Sequence, residues 1–166
     1  MIKEIAVLNN LIFKPLKLKI TEIIPDLECE DYFGFNFKIK ENRIKFRKSK
    51  LTPKKVGQFV TFWKRDSEGK TVAFDINDDF DFYIISIEEN ENSGFFIFPK
   101  AVLEKENLIS SELKVGKRGF RIYADWHFPN NKQAEKTKLW QKQFFINYKD
   151  SENELLEKWR KIFKSN

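Results

Sequence analysis

Few side chains in this sequence have the chemistry of a catalyst, and their spacing narrows the choice further. His127 is the only histidine, so no pair of imidazoles can share a metal. It stands between Trp126 and Phe128, a setting that suits packing better than general-base work. The only cysteine, Cys29, is flanked by Glu28 and Glu30, whose charges keep a thiol protonated and argue against a nucleophile. Gly116-Lys117-Arg118-Gly119 is too short for the glycine-rich loop of a Walker motif. Acids cluster at Asp78, Asp79 and Asp81, and again at Glu28, Glu30 and Asp31, each time ahead of a strand. A magnesium-dependent nuclease needs an acid on one strand, then an acid and a lysine one residue apart on the next. Asp81 followed by a hairpin into Phe98-Pro99-Lys100 follows that layout in part, but Phe98 stands where the second acid belongs. Glu68-Gly69-Lys70 and Glu112-Leu113-Lys114 have the acid-lysine spacing but fall in turn-like stretches.

The mixture of basic and aromatic side chains is the stronger lead. Lys55, Gln58, Trp63, Lys64 and Arg65 lie on or beside one strand; Lys117, Arg118, Arg121, Tyr123 and Trp126 lie on or beside another. On the second strand Arg121 and Tyr123 share a face with Gly119, which leaves a shallow space beside a guanidinium and a phenol ring. Arginine grips phosphate bidentately and aromatic rings stack on bases.

Charge is laid out in blocks. Lys38, Lys40, Arg43, Lys45, Arg47, Lys48, Lys50, Lys54, Lys55, Lys64 and Arg65 are opposed within their own stretch by Glu41 alone. Asp75, Asp78, Asp79, Asp81, Glu88, Glu89 and Glu91 follow with no lysine or arginine among them. The acidic block either folds against the basic one or leaves it open to an anionic partner.

Alternation sets the elements that carry these groups. Phe33, Phe35, Phe37 and Ile39 fall on one face of a strand, with Asn36 and Lys38 on the other; Ile44 and Phe46 repeat the pattern. A tight turn at Glu41-Asn42 pairs Lys40 with Arg43, Lys38 with Lys45 and Asn36 with Arg47. Like charges set directly opposite each other cost about 0.2–1 kcal/mol a pair, so such a face calls for a negative cover. Residues 58–65 read as a central strand, apolar on both faces, that forms a hairpin with 71–74. Residues 80–87 and 95–98 form another hairpin, 100–106 a short helix and 118–123 a further strand. A helical run over 2–14 stops at Pro15. Asn130 or Asn131 caps a helix with Ala134, Thr137, Trp140 or Gln141, Phe144 and Tyr148 inward, and Ser151 with Glu154 opens a last helix that buries Leu155, Leu156, Trp159, Ile162 and Phe163. The fold class is α+β, one domain over 1–166: a mostly antiparallel twisted sheet with an N-terminal helix and two C-terminal helices on one face.

Composition bounds the rest. The chain has 166 residues, 41% hydrophobic and 34% charged, with 18 phenylalanines. That suits one core-bearing domain and not a disordered chain. A lone cysteine excludes an internal disulfide, and no apolar run approaches the length that spans a bilayer. The start Met1-Ile2-Lys3-Glu4 lacks a secretory leader's apolar core, so a reducing compartment is expected. Net charge is +6, a mild excess.

The runs Leu51 to Arg65 (LTPKKVGQFVTFWKR), Phe98-Pro99-Lys100, Gly116 to Tyr123 (GKRGFRIY), Lys132-Gln133-Ala134 and Trp140-Gln141 resemble the MepB family, in the family's order across roughly residues 28–146. The chain departs from the family's pattern at Phe95, often glutamine, and at Ala124-Asp125, often prolines. The resemblance implies a small cytoplasmic protein of bacterial type, in a family named for a gene linked to a multidrug-efflux operon and without an assigned biochemical role. The positions it carries over are Lys55, Gln58, Lys64, Arg65, Lys100, Lys117, Arg118, Arg121 and Tyr123.

Together these readings lead to a non-catalytic module that binds nucleic acid or another phosphate-bearing ligand on a basic sheet face. Its candidate residues are Arg47, Lys50, Lys55, Gln58, Lys64, Arg65, Lys100, Lys117, Arg118, Arg121, Tyr123 and Trp126, with no cofactor, no metal and no membrane partner. The alternatives are a metal-dependent nuclease or phosphodiesterase using Glu30 or Asp81 with Lys64 or Lys100, and an interaction module whose charged segments pair with each other.

Overall fold

A six-stranded sheet, buried on both faces at its centre, organises the chain, which a computed structural model describes over residues 1–164. Its strands are β1 (Ile20–Pro25), β2 (Phe35–Ile39), β3 (Asn42–Lys48), β8 (Phe82–Glu89), β9 (Asn92–Pro99) and β11 (Phe145–Asn147), in spatial order β1-β2-β3-β8-β9-β11. Between β3 and β8 the chain makes β4 (Lys50–Leu51), β5 (Gln58–Thr61), β6 (Trp63–Arg65) and β7 (Thr71–Ala73). After β9 come α2 (Lys100–Lys105), β10 (Gly119–Ile122) and α3 (Lys132–Gln141), then β11 and α4 (Glu152–Lys164); α1 (Lys3–Leu8) opens the chain and continues as a π-helical segment, Asn9–Phe13. The architecture is an α+β single domain.

Alternation in the central strands builds two cores. Phe37, Ile44, Phe46, Phe82, Ile84, Phe95 and Ile97 face one side, where α1 and α4 supply Ile5, Leu8, Leu155, Trp159 and Ile162. Tyr83, Ile85, Ile87, Phe96 and Phe98 face the other, against Val60, Phe62, Phe120 and Ile122. That second layer is a small sheet of order β10-β5-β4, with β6 and β7 paired beside it. Since β8 and β9 are covered on both faces, their apolar runs are continuous and not alternating.

Several sequence expectations are corrected. The pair β3–β8 is parallel amid antiparallel neighbours, because the β4–β7 segment acts as the crossover that parallel strands need. The β2–β3 turn is Lys40-Glu41, with Lys40 at φ 54, so Lys38 sits opposite Arg43 and Asn36 opposite Lys45. Residues 58–65 divide at Phe62 into β5, central in the small sheet, and β6, which alone forms the hairpin with β7. Residues 145–147, read as helix, form β11, which pairs with β9 and carries the chain across the sheet. Consequently the C-terminal helices lie on opposite faces. α4 joins α1, whereas Trp140 of α3 packs on Phe98 in the second core, with ring centroids 5.3 Å apart.

Candidate anion-binding cleft

The hairpin face that carries the densest positive charge is largely neutralised within the chain. Lys38 pairs with Glu22 at 2.8 Å and Arg43 pairs with Asp79. Arg47, only 1% exposed, holds Asp26 at 3.1 Å and donates from Nη1 to the Thr61 carbonyl at 3.0 Å. Lys48, on the helical side, bridges Glu4 and Glu88. Lys64 binds Asp75 at 2.9 Å and Asp78 at 2.7 Å. The resulting ion pair holds the Asp75 carboxyl below its usual range and raises the Lys64 ammonium. The acids that cover Lys38 and Arg47, Glu22 and Asp26, come from residues 20–26 and not from the acidic block 75–91.

Other candidates are also committed to the fold. Gln58 is buried, accepting from Ser49 Oγ at 2.7 Å and donating to the Glu88 carbonyl at 2.8 Å. Lys100 donates to the Asp78 carbonyl and lies over the Phe80 ring. Arg65 donates to the Gly69 carbonyl at 3.0 Å, and Lys50 lies over the Tyr32 ring. Trp126 donates its indole N–H to Glu89 Oε2 at 2.9 Å, and the same oxygen takes His127 Nε2 at 2.5 Å. His127 Nδ1 accepts the Ala124 N–H, so the imidazole is held as the neutral Nε2–H tautomer. Burial lowers its pKa against the opposing pull of Glu89. This histidine pins the 124–127 turn to the end of β8.

Unpaired cations gather elsewhere, around a cleft of about 620 Å³ between β10 and α3. Lys54, Lys55, Lys117 and Arg121 line it, against a single carboxylate, Glu106. Among the described residues none of these cations has a carboxylate partner. Arg118 also has none and lines a neighbouring depression beside β7. Phe59, Tyr123 and Trp140 add aromatic surface. The cleft therefore combines unsatisfied positive charge with rings, the pairing that phosphate-bearing ligands use.

Backbone constraints shape its floor. Gly57 sits at φ +81, and a Cβ there would lie 2.7 Å from both the Ile122 carbonyl and the Tyr123 ring. Arg121 Nη2 donates to the Val56 carbonyl at 2.9 Å and to the Gly57 carbonyl at 3.0 Å, fastening the 52–57 loop to β10. Opposite Arg121 in the register is Phe59, whose ring crosses Gly119; a Cβ on Gly119 would come within 2.4 Å of it. The β10 edge away from β5 is capped by the buried Gln141 amide. Its oxygen accepts the Tyr123 N–H at 2.9 Å and its nitrogen donates to the Arg121 carbonyl at 3.0 Å. Tyr123 is 7% exposed, and its hydroxyl has no partner among the described residues. Asn131 caps α3 by accepting the Ala134 N–H at 2.9 Å.

Lys55, Lys117, Arg121 and Tyr123, carried by two separate motif runs, all line this cleft. Lys54 and Phe59 belong with them and were missed as site residues, although both lie inside the quoted 51–65 run. Of the nuclease residues, Lys64 and Lys100 both reach Asp78, and the Lys100 backbone N–H donates to the Asp81 carbonyl at 2.9 Å. The Asp81 carboxylate, however, accepts the Arg43 backbone N–H at 2.7 Å, and Glu30 lies in a 3-10 segment over Leu27–Tyr32. Among the described residues no three His, Cys, Asp or Glu side chains are grouped to hold a metal ion. No helix among the described residues is long and apolar enough to cross a membrane.

A protein family described as MepB-like matches residues 26–147. Among solved structures, the crystal structure of MepB aligns with a TM-score of 0.78 at 27% identity, covering 91% of this chain and 100% of that one. A bacterial homing endonuclease aligns with a TM-score of 0.46 at 15% identity, over 82% of this chain and 84% of its own. No functionally curated protein matches the chain.

Proposed function

The chain belongs to the MepB-like family, and we propose that it is a binding module that takes nucleic acid, or another phosphate-bearing ligand, in the cleft between β10 and α3. One observation carries this reading. Lys38, Arg43, Arg47 and Lys48 of the β2–β3 hairpin have carboxylate partners inside the chain, whereas among the described residues Lys54, Lys55 and Lys117 at the cleft have none. A solvated, unpaired lysine row exchanges its counterions for phosphates at little desolvation cost. Arg121 positions the loop that presents Lys54 and Lys55, so its contribution is geometric as well as electrostatic. We place the protein in the cytoplasm, where a free Cys29 thiol and a nucleic-acid ligand are both at home.

The test is a fluorescence anisotropy titration with single-stranded and duplex oligonucleotides over a range of salt. The observed association constant should fall steeply as salt rises. Lys55→Gln and Lys117→Gln should each flatten the log–log slope by about 0.7–0.9. Lys38→Gln and Arg43→Gln should leave it unchanged, because their charges are already met. Affinity indifferent to salt, or a loss confined to the hairpin variants, would refute the cleft assignment.

A further inference from the structure

Tyr123 carries a hydroxyl that the fold does not use. The residue is 7% exposed, and its ring edge would stand 2.7 Å from a Cβ on Gly57. The hydroxyl has no hydrogen-bond partner among the described residues. It is also not one of the fully enclosed unpartnered oxygens, which are those of Thr52, Ser86 and Tyr148. It therefore opens into the cleft that the side chain lines. A nearly buried hydroxyl without an internal acceptor fits a site whose partner arrives from outside.

Arg121 holds a second unused donor beside it. Nε and Nη2 are spent on the Val56 and Gly57 carbonyls, whereas Nη1 donates to nothing among the described residues. Both side chains bear on Gly57, the tyrosine through its ring and the arginine through the carbonyl, so hydroxyl and guanidinium share one end of the cleft. The exposed Lys54, Lys55 and Lys117 line the same cleft, where Glu106 is the sole carboxylate. Depth separates these donors. The exposed lysines meet any phosphate that approaches, but the hydroxyl is reached only by a group that leaves the solvent. An internal phosphodiester has a sugar on each side and would have to draw both in. A monoester stands at the end of its nucleotide and enters alone, with about 1.5–2 negative charges on three oxygens at pH 7.

We propose that this end of the cleft recognises a phosphate monoester, carried by the phosphorylated end of a strand or by a free nucleoside monophosphate. The Tyr123 hydroxyl donates to one terminal oxygen and Arg121 Nη1 to another, while the exposed lysines balance the charge. The Phe59 and Trp140 rings offer the adjoining base an apolar surface. The inference rests on the anion-binding reading of the cleft and narrows it from phosphate in general to a terminal one.

The test is an anisotropy titration of the intact protein at one low salt concentration. Short single strands carry fluorescein at one end and either a phosphate or a hydroxyl at the other. The phosphorylated strand should bind about tenfold tighter, the worth of one hydrogen bond to a charged acceptor. Tyr123→Phe keeps the ring against Gly57 and should cut that preference below threefold. Capping the terminal phosphate as its methyl ester should do the same, a comparison that needs no variant and decides the matter even if Tyr123→Phe fails to fold. Adenosine 5′-monophosphate that displaces the labelled strand where adenosine does not identifies a free nucleotide as a sufficient guest; displacement by the phosphorylated strand alone identifies the strand end. Equal, salt-sensitive binding of both strands would overturn the inference and leave the anion-binding reading standing, whereas no binding of either would remove both. A tenfold preference that survives Tyr123→Phe or the methyl cap would also overturn it, because the hydroxyl or the monoester would then play no part.

Discussion

Replacing Arg47 by alanine separates a structural cation from a ligand-binding one. The guanidinium is 1% exposed and its partner Asp26 has a side chain 16% exposed, so the pair lies well below the surface. Removing one member of a buried pair leaves the other charge uncompensated, which costs about 3–5 kcal/mol. For a chain of this size that lowers the melting temperature by roughly 6–20 °C. Arg43 makes the control, because its side chain is 46% exposed and its partner Asp79 is 72% exposed. An ion pair so open to water contributes at most about 1 kcal/mol, so Arg43→Ala should barely move the transition. The double replacement Arg47→Met with Asp26→Leu should recover most of the loss. The Thr61 carbonyl keeps its 2.8 Å bond from the Tyr83 hydroxyl in that variant, and no charge is stranded. Differential scanning calorimetry on the four proteins gives the answer. A melting shift below about 2 °C for Arg47→Ala, together with weakened oligonucleotide binding, would place Arg47 in the binding surface and refute the structural assignment.

Two further outcomes follow from buried polar groups. Gln141→Leu strands the Tyr123 N–H and the Arg121 carbonyl at the cleft, so urea denaturation should show a loss of about 2–4 kcal/mol; a change below about 0.5 kcal/mol would show that the amide is not closing the β10 edge. His127 titrates below its ordinary value near 6.5 in the folded chain, so below about pH 6.5 the unfolded chain binds a proton that the native one refuses. Its contribution to stability is complete above that pH and is lost as pH falls through the lowered value. Denaturation at pH 7.5 and 5.5 should show the decline, and His127→Gln should reduce it; an unchanged decline would assign it to other groups.

Most strands of the two cores are legible in the sequence. The alternation of Phe35, Phe37 and Ile39 with Ile44 and Phe46 identifies a half-buried hairpin, and the largely apolar Phe82–Ile87 and Phe95–Phe98 runs identify a second one, whose cover on both faces only the packing shows. Helix starts are equally local: Asn131 accepts the Ala134 N–H, and Ser151 Oγ accepts the Glu154 N–H. β11 was not legible, since Phe144 to Tyr148 continues a helical spacing until pairing with β9 overrides it. The quoted motifs also brought Lys55, Lys117, Arg121 and Tyr123 to notice before any packing was known.

Tertiary structure alone decided which of the charges are free. Ion pairing depends on distances of a few ångströms between residues that the chain separates widely, as between Lys48 and Glu4 or Arg47 and Asp26. Composition and spacing carry no record of such distances, so the basic stretch from Lys38 to Arg65 reads as uniformly open, although the fold matches Lys38, Arg43, Arg47, Lys48 and Lys64 with carboxylates. Local periodicity, by contrast, is written residue by residue, because solvent and core act on each side chain through its immediate neighbours. The cleft arises only when α3 crosses beside β10, a placement set by packing Trp140 on Phe98 and by the hydrogen bonds of Gln141.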